Sequence, residues 1–336
     1  MQKKKNRFIL QAFALLVGLC LTACTAYADK AEVHRFIDKM VKKYNFNREQ
    51  LQQLFNTVKP NRSIISSFIK PKENLTWSDY RPIFITEKRA LKGVKFWNEH
   101  KKTLLYAQKH YGVPPSIIIA VLGIESRYGE LTGKYRVLDS LSTLSFNHSR
   151  RSGFFQSELE QFLLLSRENP AINPKTTKGS YAGAMGQVQF MPSNYRHLAI
   201  DASHKGYSDL IKNSDDAILS IANYFKYYGW IKGEPIAVPA YLKGNGIQHL
   251  PSSQHGFALK SFEKYQIYPK YPLSQQLKTI LIVLPLRNGK EYWLGFTNFQ
   301  VIKRYNSSSL YAMAVYQLSE LIKHLHQQEH SHDTKK

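Results

Sequence analysis

One glutamate in the sequence, Glu125, combines a carboxyl group with a setting that favours acid–base chemistry. It directly follows residues 116–124, which are almost wholly apolar. Pro114 and Pro115 suit the first turn of a helix, and a helix that is apolar all round must be buried. Ionising a carboxyl group at the end of such a helix is unfavourable, so its pKa should rise and it can stay protonated near neutral pH. We therefore predict that Glu125 is a general acid.

A run of small residues at 179–186 (GSYAGAMG) is a second candidate feature. Such a run makes a weak helix or strand interior, but it lets the backbone approach a ligand closely. We expect it to form one wall of a ligand cleft. Each feature has an ordinary alternative, because Glu125 could be exposed or paired with Arg127 and the small residues could be a surface for helix packing.

Both features belong to an ordered series of motifs. The series comprises residues 113–115 (VPP), 123–129 (GIESRYG), 141–147 (LSTLSFN) with 150–151 (RR), 179–193 (GSYAGAMGQVQFMPS), 222–225 (ANYF), 304–307 (RYNS) and 311–315 (YAMAV). This series resembles the membrane-bound lytic murein transglycosylase B family over nearly the full mature length. The resemblance implies a mainly α fold, with a lysozyme-like catalytic core, an additional helical lobe and a small β-hairpin element.

The resemblance also implies a reaction on peptidoglycan that is not hydrolysis. Glu125 would protonate the oxygen between N-acetylmuramic acid and N-acetylglucosamine, and then take a proton from the muramoyl C6 hydroxyl, which closes on C1 to give a 1,6-anhydro sugar. Most glycosidases need two carboxyl groups, although substrate-assisted enzymes are exceptions. Asp139 and Glu158 are candidates for a second one, but both fall on predicted helices, where a solvated or capping role is favoured. No cofactor is implied.

Further residues are assigned to substrate binding by the resemblance. Ser180 and Gln189 would hold polar groups near the reacting sugar, and Met185 would pack against it. Arg150 and Arg151 would bind the carboxylates of the peptide stem, as guanidinium groups do.

Aromatic and amide side chains complete the predicted cleft. Tyr80, Tyr224 and Tyr305 could stack on sugar faces and donate hydrogen bonds, because tyrosine has an apolar ring and a polar tip. Asn306, beside Tyr305, would contact the glycan. Any tyrosine taken alone is more often a core or surface residue, so these assignments depend on motif position.

Residues 201–209 have the outline of a calcium loop, with glycine at the sixth position. Lys205 stands where the family pattern has an aspartate, Tyr207 replaces a histidine, and Lys212 stands where a generic EF-hand has glutamate. We therefore predict no bound metal ion, although a weakly held ion is an alternative if Lys205 points into solvent. The carboxylates with which Lys205 could pair are Asp201, Asp209 and Asp216.

The elements that must position these residues are mainly helical. Apolar spacing predicts two surface helices within residues 30–59, and prolines then predict loops around residues 77–80. The remaining predictions are helices at 86–110, 116–124, 138–146, 154–167, 215–228 and 309–326, irregular chain at 230–274, a β-hairpin of 281–286 with 291–302, and a frayed tail at 328–336.

The N-terminal residues have the layout of an export signal, in which four basic residues precede an apolar stretch at 8–21. This stretch is shorter than the roughly 20 residues of a membrane span. The sequence LTAC ending at Cys24 resembles a bacterial lipobox, which predicts a signal at residues 1–24 and a lipid on Cys24. Ordinary cleavage before Asp29 is the alternative. The catalytic region is predicted at residues 29–327.

Charge and export together limit the partners. The formal net charge of +23 favours a polyanionic partner, although a merely soluble basic surface is an alternative. Nucleic acid is excluded by the export signal and by the lack of a recognition motif. We expect a monomer on the periplasmic face of the outer membrane, or a soluble periplasmic protein, that binds peptidoglycan. The rival functions are a hydrolytic muramidase and a catalytically silent wall-binding scaffold.

Overall fold

The computed structural model of the chain describes residues 27, 30–61, 63–65, 75–146, 151–251 and 256–333. Contacts divide the chain into two compact units, of which the first ends at Thr57 and the second begins at Val58. Cys24 and Arg150 lie outside the described residues, so the predictions made for them stay predictions.

The first unit contains both of the surface helices that were predicted, α1 (Ala31–Tyr44) and α2 (Arg48–Asn56). α1 ends at Tyr44, and the next residue, Asn45, adopts the left-handed conformation and caps the helix with its backbone amide. The apolar faces of the two helices meet at Phe36 and Phe55, whose rings make an edge-to-face contact with centroids 5.8 Å apart.

A buried helix organises the second unit. The α-helices described in this unit include α3 (Trp77–Phe84), α4 (Glu87–Glu99), α5 (Lys101–Tyr111), α6 (Pro115–Glu125), α7 (Val137–Phe146), α8 (Ser152–Glu168), α9 (Pro192–Leu198), α10 (Ser214–Tyr227), α11 (Thr297–Tyr305) and α12 (Ser309–Asp333), and two short 3-10 helices lie at Gly246–His249 and Leu259–Tyr265. α6 is buried from Pro115 to Gly123, as its uniformly apolar sequence predicts. Helices α4, α5, α10 and α12 pack around it.

Within the described residues, the strands form one two-stranded and one five-stranded antiparallel sheet. The strands are β1 (Tyr135–Arg136), β2 (Lys178–Gly179), β3 (Ala237–Leu242), β4 (Phe257–Ala258), β5 (Ile267–Pro269), β6 (Lys278–Pro285) and β7 (Lys290–Gly295). The larger sheet has the order β4-β6-β7-β3-β5. The predicted hairpin is confirmed as β6 and β7, and its turn uses the positive φ of 93° that Gly289 adopts.

The prediction of irregular chain at 230–274 is wrong, because β3, β4 and β5 lie there. Strands β3 and β4 pair with β7 and β6, which follow later in the sequence, so the local pattern does not reveal them. The predicted strand at 291–302 is too long, since α11 begins within it. The N-terminus of α11 is capped by the side chain of Glu234, which accepts a hydrogen bond from the amide of Thr297 at 2.8 Å. The buried side chain of Asn298 donates to the carbonyl of Glu234.

Two predictions before α6 also need correction. Residues 77–80 form the first turns of α3 and not a loop, because the side chain of Thr76 caps the helix and Trp77 is buried beneath it. The single helix predicted at 86–110 is two helices, α4 and α5, which meet at His100.

The C-terminal helix is longer than predicted. α12 continues to Asp333, so residues 328–333 of the predicted frayed tail are helical. Glu329 accepts a hydrogen bond from Nδ2 of Asn98 at 3.0 Å, which ties this part of α12 to α4.

Candidate active site

Glu125 is the last residue of α6. Arg127 and Tyr128 end the helix by adopting positive φ angles of 53° and 62°. Tyr128 folds back and donates a hydrogen bond to the carbonyl of Arg89 at 2.7 Å. Its ring lies so close to α6 that a Cβ at Gly123 would be 2.6 Å from the hydroxyl oxygen. The glycine and tyrosine of this motif therefore stop the helix at Glu125, and Arg127 is left exposed.

Burial and one hydrogen bond determine the charge of Glu125. Burial raises its pKa from 4.5 to about 7, and a hydrogen bond that the hydroxyl of Tyr311 donates to Oε1 at 2.5 Å partly offsets the rise. The pKa of Tyr311 is itself raised well above its usual value, first by burial and then by the charge of Glu125, so the phenol remains a donor. Near pH 7, Glu125 can therefore hold or release a proton.

A cluster of tyrosines lines the same region. Tyr305 stacks on Tyr311 with an interplanar angle of 13° and centroids 6.4 Å apart, and it donates to the carbonyl of Val188 at 2.5 Å. Tyr224 is only 3% exposed, and its hydroxyl donates to the carbonyl of Arg304 at 2.6 Å. The prediction that Tyr224 stacks on a sugar is therefore wrong. Its ring packs against Tyr305, part of which reaches the surface.

Tyr80 and Asn306 occupy positions from which they could contact a substrate. Tyr80 lies on α3, and its pKa is raised to about 12 by burial and by the charge of Glu125, which places it near that carboxyl group. Its ring packs against Phe84 at 4.9 Å between centroids. Asn306 is exposed just after α11. Substrate contact by these two residues stays a prediction.

Residues 179–186 form a tight turn and not a helix surface. Bridges pair Met185 with Gly179 before it and with Phe190 after it, and Oγ of Ser180 accepts a hydrogen bond from the amide of Ala184 at 3.0 Å. Met185 is 0% exposed, so the prediction that its side chain packs against a sugar is wrong. Its side chain supports the turn from the core, and Ser180 remains partly exposed.

The side chain of Gln189 is held by two hydrogen bonds, whereas that of Arg151 is exposed. Nε2 of Gln189 donates to the carbonyls of Thr132 and Gly186 at 3.0 and 2.8 Å, so its amide nitrogen holds the turn in place. Arg151 is exposed before α8, with its guanidinium group 4.3 Å from the ring centroid of Phe154. Substrate binding by Gln189 and Arg151 stays a prediction.

The two other acids considered from the sequence have structural roles. Asp139 accepts hydrogen bonds from the guanidinium group of Arg136 and from the amide of Lys59. Glu158 is 5% exposed and accepts hydrogen bonds from the amide and hydroxyl of Ser193, at 2.9 and 2.7 Å, in the first turn of α9. The capping role favoured for Glu158 is therefore confirmed.

Tyr311, which donates a hydrogen bond to Glu125, is a residue of the candidate site that the sequence reasoning missed. It belongs to the motif at 311–315, but no property of that segment alone indicates a bond to Glu125, which lies 186 positions earlier. Its place in a motif was the only signal.

Known proteins share both the sequence and the structure. Residues 28–320 match the family model described as "Transglycosylase SLT domain". The chain is 40% identical to the membrane-bound lytic murein transglycosylase B of Escherichia coli strain K12 over 306 residues, which cover 88% of this chain and 84% of that protein. Its structure is similar to the soluble lytic transglycosylase SltB1 of Pseudomonas aeruginosa, with a TM-score of 0.82, 40% identity and coverage of 88% and 99%. It is also similar to an Escherichia coli lytic transglycosylase in complex with calcium, with a TM-score of 0.82, 40% identity and coverage of 89% and 95%.

Proposed function

The chain belongs to the family of the transglycosylase SLT domain and is a lytic transglycosylase that acts on peptidoglycan; we propose that Glu125 is its single general acid and base. One observation carries the assignment of the residue. Glu125 ends a buried helix with a pKa of about 7 and receives a hydrogen bond from a buried tyrosine, whereas Asp139 and Glu158 are engaged in structural bonds. The predicted lysozyme-like, mainly α fold is that of the structural relatives.

In the first step, Glu125 acts as the acid. Because Oε1 accepts the hydrogen bond from Tyr311, the proton of the neutral form resides on Oε2. Oε2 passes this proton to the oxygen that links the muramoyl C1 to N-acetylglucosamine, and the bond between that oxygen and C1 breaks. The acetamido group of the substrate helps to stabilise the positive charge that develops at C1, as in substrate-assisted glycosidases.

In the second step, the carboxylate acts as the base. It removes the proton from the C6 hydroxyl of the same muramoyl residue, and the C6 oxygen forms a bond to C1. The products are a 1,6-anhydro sugar and a new N-acetylglucosamine end, and Glu125 is again protonated. The hydrogen bond from Tyr311 stabilises the carboxylate between the two steps, so a single side chain with a pKa near 7 serves both.

The variant Glu125→Gln tests this assignment. Glutamine keeps the shape of the side chain but carries no transferable proton, so turnover should fall by at least about a thousandfold, while binding to insoluble sacculi persists. The matched control is Glu158→Gln, which removes a buried carboxyl group outside the cleft and should keep most of the turnover. Release of anhydromuropeptides by Glu125→Gln at more than a few per cent of the wild-type rate would show that the assignment is wrong.

The substrate contacts proposed around Glu125 are those whose side chains reach the surface. Tyr80, Tyr305 and Asn306 would contact the sugars. Ser180 and Gln189 would contact them from the neighbouring segment, which Tyr305 reaches through its hydrogen bond to the carbonyl of Val188. Arg151, together with Arg150, would bind stem-peptide carboxylates, in keeping with the net charge of +23.

We also propose that the protein is anchored in the outer membrane by a lipid on Cys24. No helix in the described part of the chain is long and apolar enough to cross a membrane. One relative is named membrane-bound and another is named soluble, so the proposal depends on the lipobox. The soluble periplasmic form is the alternative.

A further inference from the structure

The loop at residues 201–209 and the start of α10 hold four carboxylates and one lysine. Asp216 is 0% exposed and accepts hydrogen bonds from the amides of Ala202 and Asp209, at 2.9 and 2.6 Å. The ammonium group of Lys205 lies 3.5 Å from Oδ2 of the same carboxylate. The pairing predicted for Lys205 is therefore confirmed, with Asp216 as the partner.

The other carboxylates of the loop are also engaged with protein donors. Asp201 accepts hydrogen bonds from the amides of Ser203 and Gly206, at 3.2 and 2.7 Å. Asp209 accepts from the amide of Lys212 at 3.0 Å. Asp215 is paired with Nδ1 of His100 at 2.9 Å, and its side chain thus points toward a neighbouring helix.

These residues do not fit a calcium ion, although one structural relative was solved in complex with calcium. Calcium needs about six to eight oxygen ligands that converge on one point. Across the described parts of the chain, no three His, Cys, Asp or Glu side chains are grouped so that they could hold a metal ion. In addition, the ammonium group of Lys205 would repel a divalent cation placed beside Asp216.

We propose that Lys205 is a built-in cation that takes the place of a calcium ion in this loop, so that folding and activity do not respond to calcium. A buried carboxylate requires a compensating positive charge or several donors, and Asp216 has both within the chain. This inference is independent of the role of Glu125.

The neighbouring residue Tyr207 supports the same inference. The ammonium group of Lys205 lies 4.7 Å from the centroid of the Tyr207 ring, which is the geometry of a cation–π contact. The side chain of Lys205 is only 30% exposed. The two departures from the calcium-loop pattern therefore act together, because the Tyr207 ring contacts the same ammonium group that pairs with Asp216.

Thermal unfolding of the full mature chain, with excess calcium and then with chelator, tests the proposal in three proteins. The wild type should unfold at the same temperature in both conditions, and calorimetric titration with calcium should show no binding. Lys205→Asp supplies the missing ligand and should gain a midpoint rise of roughly 5 °C or more at a hundredfold excess of calcium over its dissociation constant. Lys205→Met removes the charge but adds no ligand, so it should unfold at a lower temperature than the wild type and remain insensitive to calcium.

Three results would overturn the proposal. The first is a calcium-dependent rise of several degrees in the wild type, which would mean that Lys205 moves aside for the ion. The second is a folded Lys205→Asp variant that ignores calcium, because Lys205 would then not be what excludes it. The third is Lys205→Met with wild-type stability, because the ammonium group would then contribute nothing. If Lys205→Asp does not fold, the wild type and Lys205→Met still decide the matter.

Discussion

Replacing Tyr311 with phenylalanine should change the pH dependence of the enzyme in a defined direction. The hydroxyl of Tyr311 donates to Glu125 at 2.5 Å and favours its charged form, which lowers the pKa of Glu125 from what burial alone would produce. Removing this bond should therefore raise the pKa above the present value of about 7. The ring should keep its place, because it is 2% exposed and stacks on Tyr305.

The size of the shift follows from the strength of the bond. A hydrogen bond to a charged group contributes about 1.5–3 kcal/mol, and one pKa unit corresponds to about 1.4 kcal/mol. The pKa of Glu125 in Tyr311→Phe should thus rise by roughly one to two units. Since the first step needs protonated Glu125, the pH at which kcat/KM falls on the alkaline side should rise by the same number of units. The maximal value of kcat/KM should decrease, because the Glu125 carboxylate formed between the two steps is less stable without the hydrogen bond.

The assay is the initial rate of anhydromuropeptide release from purified sacculi, measured over the pH range in which the chain stays folded. Tyr224→Phe is the matched control, since its hydroxyl is bonded to the carbonyl of Arg304 and not to Glu125. Its alkaline limb should stay at the wild-type pH. An unchanged or lower limb in Tyr311→Phe would refute the reasoning, because a purely structural role for the tyrosine would reduce the rate without moving the limb.

Three further predictions concern stability and location. The pKa of Glu125 rises from 4.5 to about 7 on folding, so the folded state binds more protons and stability should fall as pH rises through that window. Denaturant unfolding should therefore show Glu125→Gln to be equal to the wild type near pH 4.5 and more stable by up to about 3 kcal/mol above pH 7; a difference that does not vary with pH would contradict this. Glu158→Gln should lose about 1 kcal/mol of unfolding free energy, because the charge that caps α9 at Ser193 is gone; unchanged unfolding would exclude the capping role. Cys24→Ala should move the protein from the membrane fraction to the soluble periplasm at unchanged specific activity, and an intact mass with unmodified Asp29 at the N-terminus of the native protein would exclude the lipid.

The features that the sequence predicted correctly are those determined by local pattern. Pro114 and Pro115 before the apolar run at 116–124 indicate a buried helix, so α6 and the position of Glu125 at its end were predicted from local sequence. The hairpin of β6 and β7 followed from the turn at Gly289 between two apolar runs. The pairing of Lys205 was also predicted, because the calcium-loop pattern identified a short set of candidate partners that includes Asp216.

The features that failed depend on contacts between distant parts of the chain. Strands β3, β4 and β5 have short, mixed sequences and become strands by pairing with residues elsewhere. Met185 and Tyr224 were predicted on the cleft surface from motif position, but packing buries both. A motif identifies residues that a site requires, and it does not distinguish a residue that touches the substrate from one that supports the wall.

Product analysis on intact sacculi tests the central claim most directly. Sacculi digested in water that contains heavy oxygen should release muropeptides with 1,6-anhydro ends, each lighter than the hydrolysed product by one water and free of the label, and Glu125→Gln should release almost none. Labelled products with reducing N-acetylmuramic acid ends as the main species would contradict the account, because water and not the C6 hydroxyl would then be the nucleophile.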